Sequence, residues 1–148
     1  MTAGFGFQIF NGFAMVGWLA LGIGVITGNA RLRDQVAGLI WPALLAVGYV
    51  VILGGAMTGA LGDGAGAADG LGTLDGVMAA FSNPWIVLGA WIHYLVFDLF
   101  VGTRIAQEAE RDGVPKLWLL PILPLTLMFG PAGYLLFVLI RPFARRST

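Results

Sequence analysis

Apolar residues in this chain come in four long blocks, at residues 5–27, 39–60, 84–104 and 117–140, and the polar residues collect between them. A helix needs about 20 mostly apolar residues to cross the hydrocarbon core of a bilayer, and each block meets that length. The blocks lack the single apolar stripe of a helix in a water-soluble bundle. The first is interrupted only near its start, by Gln8 and Asn11, and is joined to the second through a polar connector holding Arg31, Arg33 and Asp34. The main loop, 62–82, is rich in Gly and Ala and contains Asp63, Asp69 and Asp75 but no basic residue. Within it, 74–81 reads as a short interfacial helix with Asp75 near its amino end. Asn83-Pro84 marks a turn, and Pro84 suits the first position of the third span. The fourth block carries Pro121, Pro124 and Pro131, and its sharpest bend is expected at Gly130-Pro131-Ala132-Gly133. The pattern predicts an all-α integral membrane protein of one domain: a four-transmembrane-helix bundle with a Pro-kinked fourth helix and both termini on one side.

Composition narrows the chemistry. At 148 residues there is room for one domain, and 11% charged residues is far below the roughly 25% of a soluble domain. Basic and acidic residues balance, and no basic patch suited to nucleic acid occurs, so nucleic-acid binding is set aside. Without cysteine the chain has no disulfide, thiolate or iron–sulfur chemistry. A single histidine, His93, excludes a histidine-rich di-iron site or bis-histidine haem within one chain. Any reaction here is therefore expected to be metal-free and without a cofactor. No Lys or Arg precedes the first block, so the basic start of a signal peptide is missing, and the first span is expected to stay on the protein. Five basic residues, Arg31, Arg33, Arg104, Arg111 and Lys116, lie in or next to the first and third connectors, against Arg141, Arg145 and Arg146 on the other side. The positive-inside rule then favours cytoplasmic connectors and external termini.

The third block carries the chain's most informative residues, Trp91, His93, Tyr94, Asp98 and Arg104, within a hydrophobic run. An ionisable group at a helix centre costs roughly 2.5–3.5 kcal/mol on insertion scales, so such groups usually face other helices or a polar cavity. At ~100° per residue, His93, Phe97 and Arg104 project in nearly one direction, with Tyr94 and Asp98 on the adjacent strip. The opposite face, Ile92, Leu95, Val96 and Leu99, is expected to meet lipid. Tyr94 and Asp98 are four residues apart and can interact along the helix. His93 and Asp98, about 140° apart around the axis, do not make a simple dyad. A partner for Asp98 is expected from another span, with Arg141 and Asn11 as candidates. Two readings stand: a site that handles protons, or interhelical hydrogen bonds that hold the bundle together.

The run Trp91-Ile-His93-Tyr94-Leu-Val-Phe97-Asp98-Leu-Phe-Val-Gly102, followed by Leu125-Thr126-Leu-Met-Phe129-Gly130-Pro131-Ala-Gly133 and Arg141, closely resembles the abscisic acid-deficient-four-like family of membrane proteins. Asn11, Trp18 and Leu74-Asp75-Gly76 are similar to the family pattern as well, so the resemblance covers nearly the whole chain. Plant members are required for forming neoxanthin from violaxanthin. The resemblance implies a carotenoid or related isoprenoid as ligand, drawn from the membrane lipids, with His93 and Asp98 as catalytic groups. It also implies ligand contacts from Asn11, Trp91, Tyr94, Arg104 and Arg141. Converting an epoxide to an allenic alcohol is redox-neutral and needs only a base and an acid. Asp98 or His93 would take the proton from carbon, and Tyr94, protonated His93 or Arg104 would polarise the oxygen. The compact chain looks like a member from a bacterial inner membrane or a photosynthetic membrane. The alternative, from a different class, is a non-catalytic pigment- or lipid-binding subunit, either a homo-oligomer or part of a larger membrane complex.

Overall fold

The computed structural model describes residues 2–62 and 70–144, and over these the chain forms six helices and no strand. They are α1 (Ala3–Thr27), α2 (Arg31–Met57), α3 (Leu74–Ala80), α4 (Pro84–Arg111), α5 (Leu119–Phe129) and α6 (Pro131–Ala144). Asp63 and Asp69 of the loop, and Arg145 and Arg146 at the end, lie outside the described residues.

The helix starts follow side-chain chemistry. Thr2, Thr73 and Asn83 each accept backbone N–H bonds at the amino ends of α1, α3 and α4, and Pro84 occupies the first turn of α4. At the end of α1, Gly28 takes a left-handed conformation (φ 73°), and its N–H returns to the carbonyl of Gly24. The expected polar connector is shorter than the sequence suggested. Arg31, Arg33 and Asp34 belong to the first turns of α2, where Arg31–Ile40 is wound as a π-helix ahead of the α-helical Trp41–Met57. Pro42 lacks the N–H that would bond back to Gly38, and the widened turns before it make room for its ring.

α1, α2 and α4 are each long and apolar enough to cross a membrane. α4 runs through the middle, against α2, α1 and α5. Small residues let it approach closely. A Cβ on Gly102 would lie 2.6 Å from the Trp18 ring, and one on Gly89 would lie 3.1 Å from Leu53. Leu21, Leu45, Ile92, Leu99, Ile105, Ile122 and Phe137 are fully enclosed around this helix.

The largest departure from expectation lies in the fourth apolar block. In place of one proline-kinked helix there are two, of 11 and 14 residues, which are about 16 and 21 Å long and too short for a ~30 Å hydrocarbon core. They meet at Gly130, where φ is 22° and ψ is −81°, and Pro131 opens the second helix. The two pack back to back, with Gly133 so close to Thr126 that no side chain fits between them. At its far end α6 is tied to the carboxyl end of α4, where the Arg141 guanidinium donates to Asp112 and, at 2.7 Å, to Glu108. α5 and α6 thus form a hairpin that runs in beside α4 and back out at the same end. The termini are not on one side as expected: Ala3 packs against the cluster of Ile52, Leu88 and Ile92 toward one end of the bundle, and Arg141 sits with Asp112 at the other. Proline and glycine removed the backbone bonds needed for one continuous helix, and the ion pairs at Arg141 tie the returning half to α4.

Gly102→Leu is expected to destabilise the protein by about 1–3 kcal/mol, because the new side chain must displace Trp18. Gly12→Leu projects into open space and is expected to be neutral. Thermal unfolding of both variants in the same detergent checks the difference.

Candidate functional site

The faces of α4 are reversed from the sequence expectation. Ile92, Leu95 and Leu99 are buried and Val96 is half-buried, whereas His93, Tyr94, Phe97 and Arg104 are exposed. Packing explains the reversal. Leu88, Ile92, Leu95, Leu99, Gly102 and Ala106 recur every three or four residues as one unbroken seam of aliphatic and small side chains. A helix with neighbours on two sides needs such a seam, and the polar arc is too discontinuous to supply one.

His93 therefore faces outward. Its ring lies 4.6 Å from that of Phe97 and 5.6 Å from that of Tyr49 on α2. Arg104 is exposed and pairs with Glu108 one turn along, at 3.6 Å. Neither expected partner reaches Asp98, since Arg141 is engaged with Glu108 and Asp112, and Asn11 with Trp91. Asp112 raises the Arg141 pKa above its ordinary value by accepting its hydrogen bond.

Asp98 is half-buried, and its carboxylate lies against Gly130 at the turn of the hairpin. Among the described residues it has no hydrogen-bond or ion-pair partner. The amino end of α6 begins beside it, so the positive end of that helix faces the anion. Tyr94 stands one turn from Asp98 on the same strip, beyond the reach of the hairpin, and is 59% exposed. On the neighbouring helix the amide oxygen of Asn11 accepts a hydrogen bond from the Trp91 indole at 3.0 Å, and its amide nitrogen donates to the Phe7 carbonyl at 2.8 Å. Phe7 packs on Trp91, ring centres 5.3 Å apart. Asn11, Trp91, Tyr94 and Asp98 thus lie above the hairpin turn, where the bundle is one helical hairpin thinner than below it. His93 is not part of this group.

Sequence reasoning missed the polar cluster at the opposite end. Arg33 is only 6% exposed; it donates to both oxygens of Asp34 and to Glu110, while Gln107 donates to Asp34 at 3.0 Å. The signal was available, because the carboxylates Glu108, Glu110 and Asp112 lie in and just after the last turn of α4, at the end where Arg31 and Arg33 begin α2. Thr103 was missed as well; its hydroxyl and the indole N–H of Trp18, which the sequence marked only as part of the family pattern, are buried without a partner among the described residues. No group of three His, Asp or Glu side chains among the described residues is placed to hold a metal ion.

Chemically, the arrangement offers one carboxylate at mid-depth with room to accept a proton, and a phenol one turn away that can give one. Residues 5–137 match the family described as ABA DEFICIENT 4-like. No curated protein and no solved structure matches the chain.

Gly130→Ala is expected to lower thermal stability for two separable reasons: a positive φ that L-residues rarely adopt, and the approach of the new methyl to the Asp98 carboxylate. In an Asp98→Ala background the second cost disappears, so the substitution costs less there than in the wild type. Equal costs in both backgrounds would show that Asp98 and Gly130 are not in contact.

Proposed function

The chain belongs to the ABA DEFICIENT 4-like family, and from that premise we propose that it binds a carotenoid-like isoprenoid in the membrane and rearranges it by metal-free acid–base chemistry at Asp98. The observation that carries this reading is the half-buried carboxylate itself, held at the hairpin turn without a protein partner. A carboxylate used only to join helices would have a donor, because an unpaired ion at that depth is costly.

In this reading three helices cross the bilayer, and α5 and α6 form a re-entrant hairpin rather than a fourth crossing. Irregular backbone at membrane depth is tolerated where it is packed in protein or lines a cavity, and the turn at Gly130 is packed against Asp98. The six basic residues among those described, Arg31, Arg33, Arg104, Arg111, Lys116 and Arg141, all lie at or toward one end, which becomes the cytoplasmic side. An inner or photosynthetic membrane suits this arrangement.

For an epoxide-bearing end ring the step is redox-neutral. Asp98 removes a proton from carbon, the C–O bond of the epoxide breaks as the new double bond forms, and Tyr94 delivers a proton to the oxygen. Asn11 and Trp91 position the ring, and no cofactor is required. Arg104 and Arg141, committed to Glu108 and Asp112, hold the helices at the other end.

A second reading is favoured by a different observation, the outward His93 beside Tyr49 and Phe97. An imidazole directed at acyl chains is unfavourable, and a partner protein covering it would make this chain a pigment-binding subunit of a larger complex.

Protein purified in mild detergent is expected to carry structured visible absorption from bound pigment. Asp98→Asn and Tyr94→Phe are expected to retain pigment but to lose conversion of an epoxy-carotenoid by about 10²-fold or more. Unchanged conversion by Asp98→Asn, with only a lower melting temperature, would make Asp98 a packing residue. His93→Ala is expected to leave conversion intact, and loss of a co-purifying subunit in that variant would support the second reading.

A further inference from the structure

Between α1 and α5, from the basic end toward the hairpin turn, runs a groove of about 490 Å³ walled by Met15, Leu19, Gly22, Leu123 and Leu127. Lys116 is the one charged residue in its wall. Directly adjoining it is a second chamber of about 260 Å³, lined by Arg33, Glu110 and Gly113, and Val25, Lys116 and Leu119 belong to both. Side by side, the two offer an apolar groove next to a polar chamber, with Lys116 in the wall of both.

Charge says what fits it. Arg33 is engaged by two carboxylates, Asp34 and Glu110, whereas the Lys116 ammonium donates only to the Ile26 carbonyl, at 3.2 Å, and has no carboxylate partner among the described residues. Lys116 is exposed and stands where the chamber opens into the groove. The space therefore presents an apolar channel headed by one uncompensated cation. We infer that it is a binding site for a glycerophospholipid with an anionic headgroup, taken from the leaflet at the basic end: the phosphate rests against Lys116 and one acyl chain lies between α1 and α5. A zwitterionic headgroup would bring its own cation to Lys116 and lose this advantage. The lipid would fill the gap between α1 and α5, wedging the hairpin against the three long helices. Its polar end at Lys116 lies at the opposite end of the bundle from Asn11 and Trp91, while its apolar wall reaches Met15 and Leu127; the inference does not rest on the isoprenoid reading.

The test uses the full-length protein in detergent micelles doped with phosphatidylglycerol or phosphatidylcholine, with retained lipid counted by native mass spectrometry and thermal unfolding followed in parallel. Wild type is expected to retain one phosphatidylglycerol in preference to phosphatidylcholine and to melt higher with it. Lys116→Gln keeps a donor for Ile26 but removes the charge, and is expected to lose about fivefold of that preference. Gly22→Leu fills the groove from a position where nothing lies within 4 Å; it is expected to abolish retention of either lipid while melting normally without added lipid. Equal retention of the two lipids by wild type and Lys116→Gln would overturn the inference. So would a retained isoprenoid, displaced by Gly22→Leu, in place of phospholipid.

Discussion

Arg141 comes near the end of the described chain, yet its guanidinium is bound to Glu108 and Asp112 at the end of α4. Asp98 and Glu108 are ten residues apart, as are Pro131 and Arg141, about 15 Å of helix in each case. The outer ion pairs and the inner turn are therefore one constraint. With Arg141 anchored, Gly130 must come to the level of Asp98, and the hairpin can extend no further. The carboxylate meets a backbone turn instead of a third helix, and the strip above it, with Tyr94 and Trp91, is left open on the hairpin side.

The same constraint sorts charge. Folding the last apolar block back on itself carries Arg141 to the end that already holds Arg31, Arg33, Arg111 and Lys116, while the loop end has Asp75 and no described basic residue. A continuous fourth helix would have divided these charges between the two sides. The acidic residues Asp34, Glu108, Glu110 and Asp112 are spent on Arg33 and Arg141, which leaves Lys116 as the cation facing the groove. Ion pairs exposed at a surface contribute little each, but here they tie α6 to the end of α4.

Much of this was legible in the sequence. The four apolar blocks, the caps at Asn83 and Pro84, the short helix in the loop and the weakness at Gly130-Pro131 were all visible as patterns, and the residues that carried the family resemblance lie within the matched span 5–137. Hydropathy could not separate one kinked span from two half-length helices, because both bury the same residues in the same apolar surroundings. Arg141 was the distinguishing residue, and its meaning depends on Asp112, a contact between positions 29 apart that no local pattern contains. The orientation of α4 failed for a different reason. Polar residues were assumed to turn inward, but the seam through Ile92, Leu99 and Gly102 decided the packing, and only Asp98, at the edge of that seam, was carried to an interface. Asn11 and Trp91 were singled out separately, and their hydrogen bond emerged only when α1 was laid against α4.

The central claim is that the chain turns back at Gly130 and brings Arg141 beside Asp112. Spin labels at Arg111 and Phe143, both exposed, test it most directly in protein reconstituted into bilayers, with a second pair at Thr2 and Phe143. The account predicts a short distance for Arg111 with Phe143, and for Thr2 with Phe143 a distance that spans the hydrocarbon core of about 30 Å. The reverse result, with Phe143 near Thr2 and far from Arg111, would mean a fourth crossing, and would remove the hairpin turn from Asp98.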